Sequence, residues 1–177
     1  MSFIKCIASI TLLLLVAACS KEGSKPTLEN VVDKSEEPMQ TSVDDSMKLE
    51  VFKTPTCGCC GDWVVHVENQ GFAANVKDQD SLSELKDSLR IPEDARSCHV
   101  GVSKQGYFFE GHVPAKYIKQ FLSSPPEDAL GLAVPGMPVG SPGMEIGEQF
   151  DPYAVMLVHK DGSMSVYAEL QSYKDQF

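Results

Sequence analysis

The chain has 177 residues, of which 42% are hydrophobic, and its formal net charge at pH 7 is −10. This length suits one folded domain with an appendage better than two full domains. The net charge is negative and the sequence has no cluster of basic residues, so nucleic acid is not expected as a partner. The sequence also contains no glycine-rich phosphate loop and no H-E-x-x-H motif.

The N-terminus has the pattern of an export signal. Lys5 supplies a positive charge, and residues 6–18 are almost wholly apolar but too short to span a bilayer. The run ends in LVAAC, which resembles a bacterial lipoprotein box whose cysteine, Cys19, is lipidated, and Ser20 resembles an outer-membrane address. We therefore expect a signal peptide over residues 1–18 and a periplasmic protein with a lipid anchor in the outer membrane. The alternative is an ordinary signal cut nearby, with the cysteine incidental.

A lipidated, disordered tether is predicted over residues 19–46. Residues 20–46 are polar, acidic and poor in aromatic side chains, so they cannot bury a core. Such a tether has a reach of roughly 30 Å. The folded domain is expected over residues 47–172, as a monomer.

The predicted secondary structure follows from hydrophobic periodicity, with period 2 for strands and 3.6 for helices. In chain order the predicted elements are a strand at 48–53, a helix at 60–70, a strand at 72–76, a helix at 81–90, paired strands at 98–102 and 107–111, a helix at 115–122, and paired strands at 153–159 and 164–170. Pro114 suits the first turn of the third helix. The Gly/Pro-rich stretch 131–147 is predicted to be a loop.

A strand, then a cysteine motif, then a helix resembles the thioredoxin and glutaredoxin architecture. We therefore predict an α/β fold, with a thioredoxin-like mixed sheet and flanking helices. A C-terminal Gly/Pro/Met loop and a β-hairpin extension follow. The final hairpin is expected either to extend the sheet or to cover one of its edges.

Four cysteines remain after the export signal and the lipidation site, and outside the cytoplasm they are first suspected of forming disulfides. Cys57 and Cys60 have C-x-x-C spacing, which predicts a redox pair at a helix N-terminus, where the dipole stabilises the first thiolate. Cys59 departs from this pattern, and three converging thiolates favour a soft metal ion. Two structural disulfides without chemistry are the alternative, although so small a loop constrains the unfolded chain little.

Cys98 opens the third predicted strand. In thioredoxin-like folds this point faces the C-x-x-C motif and usually carries a cis-proline, which helps to dock protein substrates. Here a fourth sulfur replaces the proline. This departure argues against ordinary disulfide exchange with protein substrates.

A second source of sulfur is the Gly/Pro-rich loop. Met137 and Met144 each end a Pro-Gly-Met motif. A thioether is a soft ligand that selects Cu(I) and needs no deprotonation. Filling of gaps in the core is the alternative role for both methionines.

The histidines are weaker candidates than the cysteines. His99 follows Cys98 directly, and in a regular strand the two side chains point to opposite faces, so only one is expected to face the thiols. His112 ends the next strand, and both histidines are candidate metal ligands. His66 and His159 are expected to pack or to form hydrogen bonds.

Zinc competes with copper for such a site. A four-cysteine zinc site usually takes its ligands from two separated C-x-x-C knuckles. One cysteine cluster, one distant cysteine and a methionine-bearing loop in an exported chain fit copper better.

Four motifs, CGCCGDWVVH, SCHVGV, EGHVPA and GLAVPGMPVGSPGME, together resemble the CopG family of copper-resistance proteins over about residues 48–170. The resemblance implies a thioredoxin-like fold whose C-terminal extension contributes to metal binding. It also implies a periplasmic setting, copper bound at the C-x-C-C motif, and interconversion of Cu(I) and Cu(II). Here that motif is Cys57-Gly58-Cys59-Cys60.

The expected function is therefore binding of several Cu(I) ions at the four thiols, with methionine and histidine outside them. Oxidation of cysteine pairs supplies electrons and removes ligands, which couples copper redox to thiol redox. One alternative is a non-catalytic copper storage or delivery protein that exchanges ions with a copper efflux system or a periplasmic copper chaperone. Another alternative is a metal-free thiol–disulfide oxidoreductase.

Overall fold

The computed structural model describes residues 44–177. The predicted signal peptide, the lipidation site Cys19 and all but the last three residues of the predicted tether lie outside this range. A 3₁₀ turn at Asp45–Met47 leads directly into the first strand. Within 44–177, no helix has the length and apolarity needed to cross a membrane.

The described residues form a mixed α/β fold with three α-helices and seven strands. The helices are α1 (Gly58–Asn69), α2 (Ser83–Ser88) and α3 (Ala115–Ser123). The strands are β1 (Lys48–Lys53), β2 (Ala73–Asp78), β3 (His99–Ser103), β4 (Phe108–Glu110), β5 (Ala129–Ala133), β6 (Tyr153–His159) and β7 (Met164–Leu170). They form one sheet in the order β2-β1-β3-β4-β5-β6-β7. The pairs β1–β2 and β4–β5 are parallel, and the other neighbours are antiparallel.

The predicted α/β class is confirmed, and each predicted helix and strand is present with its ends shifted by at most a few residues. One strand, β5, was not predicted. It begins before the predicted loop 131–147 and includes the first residues of that loop. Gly131 looks like a loop residue, but a Cβ there would overlap the carbonyl group of Phe108 on β4. Glycine at this position therefore permits close strand pairing. Through β5 the final hairpin extends the sheet and does not cover an edge.

Two apolar clusters line the two faces of the sheet. The larger cluster takes Trp63, Val64 and Val67 from α1, the residues that the helical periodicity placed on one face. The smaller cluster lies under α2. Phe108 and Phe109 are neighbours in β4 and belong to different clusters, as side-chain alternation along a strand requires.

Candidate metal centre

The first turn of α1 carries the cysteine motif. Cys57 is the N-cap residue, and no side chain caps the helix. The free amides of this turn and the positive end of the helix dipole therefore face the thiols, and both stabilise thiolates. Cys60 is fully buried, whereas Cys57 and Cys59 are half-buried.

Four sulfur atoms converge at this end of α1. The Sγ atoms of Cys57, Cys59, Cys60 and Cys98 all lie within 4.8 Å of one another. Cys57 and Cys60 are joined by a disulfide with a Cα–Cα distance of 5.3 Å, whereas Cys59 and Cys98 are free thiols. The Sγ atoms of Cys59 and Cys57 are 3.6 Å apart. The fold thus brings Cys98 to the three cysteines of the motif, and the set contains one disulfide and one pair of thiols.

Cys98 also belongs to a second group of converging donors, with His99 and His112. Its Sγ lies 3.3 Å from Nδ1 of His99 and 3.4 Å from Nε2 of His112. The expectation that Cys98 and His99 point to opposite faces is wrong. Because β3 begins at His99, Cys98 precedes the strand and does not follow its alternation.

Both imidazoles are held in the neutral form. Nδ1 of His112 lies 2.8 Å from the carbonyl oxygen of Pro142. A carbonyl can only accept, so Nδ1 carries the proton and the lone pair on Nε2 faces Cys98. Burial lowers the pKa of His112 and lowers that of His99 well below its usual value. The His99 ring packs on Trp63 with the centroids 4.5 Å apart, and its Nε2 has no hydrogen-bond partner.

The thiol of Cys98 is protonated in the metal-free site. Burial raises the pKa of Cys98 to about 11, and the neighbouring Cys59 adds to the increase. A metal cation that binds this sulfur must displace the proton, so metal binding here releases a proton.

Each of the two Pro-Gly-Met motifs contacts a segment that carries a cysteine of the centre. A Cβ on Gly143 would lie 2.5 Å from the carbonyl oxygen of Cys59, so only glycine lets the second motif pack on the first turn of α1. Met144 follows it and is half-buried. In the first motif, the carbonyl oxygen of Gly136 accepts a hydrogen bond of 2.7 Å from Oγ of Ser97, beside Cys98. Met137 is 53% exposed, so it does not fill the core.

The other two histidines lie away from the thiols. Nε2 of His66 accepts a hydrogen bond of 3.1 Å from the amide of Ala115 at the start of α3. Burial lowers the pKa of His66 to about 4, which keeps this acceptor unprotonated. Asp128 and Ser165 each lie 2.8 Å from a ring nitrogen of His159. These positions agree with the packing and hydrogen-bonding roles expected for both residues.

A buried ion pair that contacts Ser97, the residue before Cys98, was not predicted from the sequence. Nζ of Lys86 lies 2.6 Å from Oε1 of Glu110, and both side chains are almost fully buried. Lys86 could not be recognised from the sequence, because a lysine among the polar residues of an amphipathic helix is expected to face solvent. A glutamate inside the apolar run YFFEG was the available signal, because a carboxylate in a short buried strand needs a partner.

Two solved structures, described as "Copper resistance protein copG- Form 1" and "Form 2", are similar to this chain. Each is 43% identical to it with a TM-score of 0.65, and the match covers 70% of this chain and 96% or 97% of the relative. The family described as "Protein of unknown function, DUF411" matches residues 95–144, which include Cys98, both clustered histidines and both Pro-Gly-Met motifs. No curated protein matches the chain. At this identity over nearly the whole length of the solved relatives, the chain belongs to the CopG family of copper resistance proteins.

Proposed function

We propose that this protein binds several Cu(I) ions through Cys57, Cys59, Cys60 and Cys98 and interconverts Cu(I) and Cu(II). Copper is the cargo and the substrate of the site. The observation that carries the proposal is the convergence of four sulfur atoms within 4.8 Å. Thiolate, thioether and imidazole are ligands that suit copper, and thiolate and thioether favour Cu(I).

We also infer that β1 to α3 form a thioredoxin-like unit. The order strand, helix, strand, helix, two strands, helix supports this, as does the cysteine motif at the N-terminus of α1. The remaining strands then form the C-terminal extension. The Gly/Pro-rich loop that joins β5 to β6 carries Met137 and Met144 as outer ligands.

His99 and His112 complete the proposed ligand set. The lone pair of His112 Nε2 faces the Cys98 sulfur at 3.4 Å, and the Pro142 carbonyl fixes that orientation. A hydrogen bond of this kind is what orients most metal-binding histidines. His99 lies 3.3 Å from the same sulfur through Nδ1.

The redox step uses Cys57 and Cys60 as the electron donors. Each of two Cu(II) ions accepts one electron, and the two thiolates join as a disulfide, so two Cu(I) ions form per disulfide. The bond removes two ligands, which leaves the thiols of Cys59 and Cys98 and the nearby imidazoles to hold copper. Cys59 and Cys98 can form a second pair in the same way. A dithiol reductant returns two electrons per disulfide and restores the thiols.

The proposed setting is the periplasm, with lipid on Cys19 anchoring a monomer to the outer membrane. The apolar leader and the LVAAC sequence support this placement. A copper efflux system or a periplasmic copper chaperone is the proposed exchange partner.

Anaerobic addition of Cu(II) to the fully reduced protein tests the redox step. Cu(I) is counted with a Cu(I)-specific chelator, and free thiols are counted in parallel. We expect one Cu(I) for each thiol lost, with the first disulfide mapped to Cys57–Cys60, and a slower reaction in a Cys57→Ser/Cys60→Ser variant. If added Cu(I) is retained but Cu(II) leaves all thiols reduced, the storage alternative is correct. If neither valence is retained, the metal-free oxidoreductase alternative is favoured.

A further inference from the structure

The Ser97–Cys98 segment approaches the thiols without support from a strand. The preceding 3₁₀ turn ends at Ala95 and β3 begins at His99, so the segment lies between two elements. Both of its residues border an open pocket of about 400 Å³. The hydrogen bonds of β3 therefore do not account for the position of this segment.

Two buried charged side chains hold this segment. The amide of Ser97 donates to Oε1 of Glu110 at 2.5 Å, and Nζ of Lys86 donates to the carbonyl oxygen of Ser97 at 2.6 Å. Lys86 Nζ also lies 2.6 Å from the same Glu110 oxygen. The side chains of Lys86 and Glu110 are 5% and 0% exposed. Both the backbone N–H and the backbone carbonyl oxygen of Ser97 are thus hydrogen-bonded to these two side chains.

Stability alone is a poor reason for this ion pair. Removing both charges from water is costly, and well-packed apolar residues in place of a buried pair are often as stable or more stable. Here the cost is not fully offset, because Oε2 of Glu110 is buried without a hydrogen-bond partner. What apolar residues could not supply is the pair of hydrogen bonds to Ser97.

We propose that Lys86 and Glu110 are positioning residues that set the place of the Cys98 sulfur relative to the thiols of α1. The inference rests on the proposed function only in that the positioned sulfur is a copper ligand and a redox partner. Oγ of Ser97 also donates to the carbonyl oxygen of Gly136 at 2.7 Å. We call the two hydrogen bonds from Lys86 and Glu110 to the Ser97 backbone the clamp. Because Ser97 in turn bonds to Gly136, the clamp also holds the first Pro-Gly-Met motif against the site.

Cross-linking without copper tests the position of Cys98. The metal-free protein with the Cys57–Cys60 disulfide has two free thiols in the cluster, on Cys59 and Cys98. Diamide oxidises two such thiols to a disulfide and takes up their two electrons and two protons as the hydrazine. The rate of the Cys59–Cys98 cross-link, followed by mass spectrometry of peptides, reports how often the two sulfurs meet.

The double variant Lys86→Met/Glu110→Leu removes the clamp without leaving a buried charge unpaired. We expect it to fold and to form the cross-link more slowly by about tenfold or more. A folded double variant that cross-links at the wild-type rate would overturn the proposal. If this variant does not fold, Lys86→Arg decides. It keeps the charge pair, but the planar guanidinium cannot place one nitrogen as the lysine does, so a slower cross-link is again expected and an unchanged rate overturns the proposal.

Two controls separate position from stability. Glu110→Gln keeps the shape and an oxygen that accepts from the Ser97 amide, although it removes the counter-ion of the buried Lys86 ammonium, so we expect lower stability with a cross-linking rate within about threefold of wild type. Slowing equal to that of the double variant would overturn the geometric role. Leu170→Ala creates a cavity in the core at the end of β7. This strand and β2 are the two opposite edges of the sheet. We expect it to lower stability and leave the cross-linking rate unchanged, and a rate as slow as that of the double variant would overturn the specific role.

Cu(I) titration of the same variants keeps the two proposals distinguishable. If the wild-type protein takes up no copper, the proposed function fails, and the cross-linking rates still decide the positioning role. If the wild type binds copper and the double variant cross-links normally, the positioning role fails and the proposed function stands.

Discussion

Gly143 permits the contact between the second Pro-Gly-Met motif and the first turn of α1, and its replacement by alanine should move that motif away from the proposed copper site. A Cβ there would lie 2.5 Å from the Cys59 carbonyl oxygen and 2.7 Å from the Trp63 amide, whereas ordinary contact begins at 3.4 Å. The loop or the helix must retreat by about 0.9 Å, the difference between 3.4 and 2.5 Å. Overpacking of this kind costs about 1–3 kcal/mol.

A matched control isolates that contact from backbone strain. Gly143 has φ +86° and Gly147 has φ +58°, but a Cβ on Gly147 would meet nothing within 4 Å. Gly147→Ala should therefore lower the free energy of unfolding only by the penalty for a non-glycine residue in the left-handed region, about 1–2 kcal/mol. Gly143→Ala should cost about 2–5 kcal/mol, because the contact adds to the same penalty.

Urea unfolding and Cu(I) titration measure the two consequences. We expect Gly143→Ala to lower the free energy of unfolding further than Gly147→Ala and to weaken Cu(I) binding by about tenfold, because Met144 moves with the loop. The control should bind copper as the wild type does. Equal stability of the two variants, together with normal copper binding in both, would refute the close packing of this motif on α1.

The remaining predictions concern the ligands and the anchor. The double change of Met137 and Met144 to Leu should lower copper affinity while costing under about 1.5 kcal/mol per site in unfolding free energy; unchanged copper binding with lowered stability would contradict the ligand role. The reduced protein should retain more than one Cu(I), measured by metal analysis, and a single tight zinc per chain would argue against this. Cys98→Ser should lower that stoichiometry and leave an odd thiol when copper-loaded protein is oxidised stepwise; release of copper as Cu(I) with all thiols still reduced would instead indicate storage. Cys19→Ala should leave a soluble or uncleaved precursor in membrane fractionation, and normal processing and fractionation would refute the anchor.

The helices and most strands were predictable because their signals are local. Alternation over 153–159 and 164–170, with Lys160-Asp161-Gly162-Ser163 between them, specified the final hairpin, and the observed strands have the same bounds. The strand β5 was not predictable in this way. Its short run contains Gly131 and becomes a strand by pairing with β4 and β6, which are distant in sequence.

The kinds of donor atom at the candidate metal centre could be read from the sequence alone. Three cysteines fall within four positions at the start of a helix, so their thiols lie close together whatever the arrangement of the other elements. Two Pro-Gly-Met motifs supply thioethers in a segment that cannot be a helix. Which of these donors come together depends on the folding of distant segments onto one another. Cys98 lies 38 residues from Cys60 and reaches it because β3 pairs with β1, the strand that leads into α1.

The orientation of the donors also depended on the folded state. The Pro142 carbonyl fixes which nitrogen of His112 faces sulfur, and Lys86 with Glu110 holds the segment before β3. Hydrogen bonds between residues so far apart in sequence have no local signature, because their strength depends on distance, angle and burial that exist only after folding. The sequence therefore determined the kind of ligand, and the packing of the sheet, α1 and the C-terminal loop determined their arrangement.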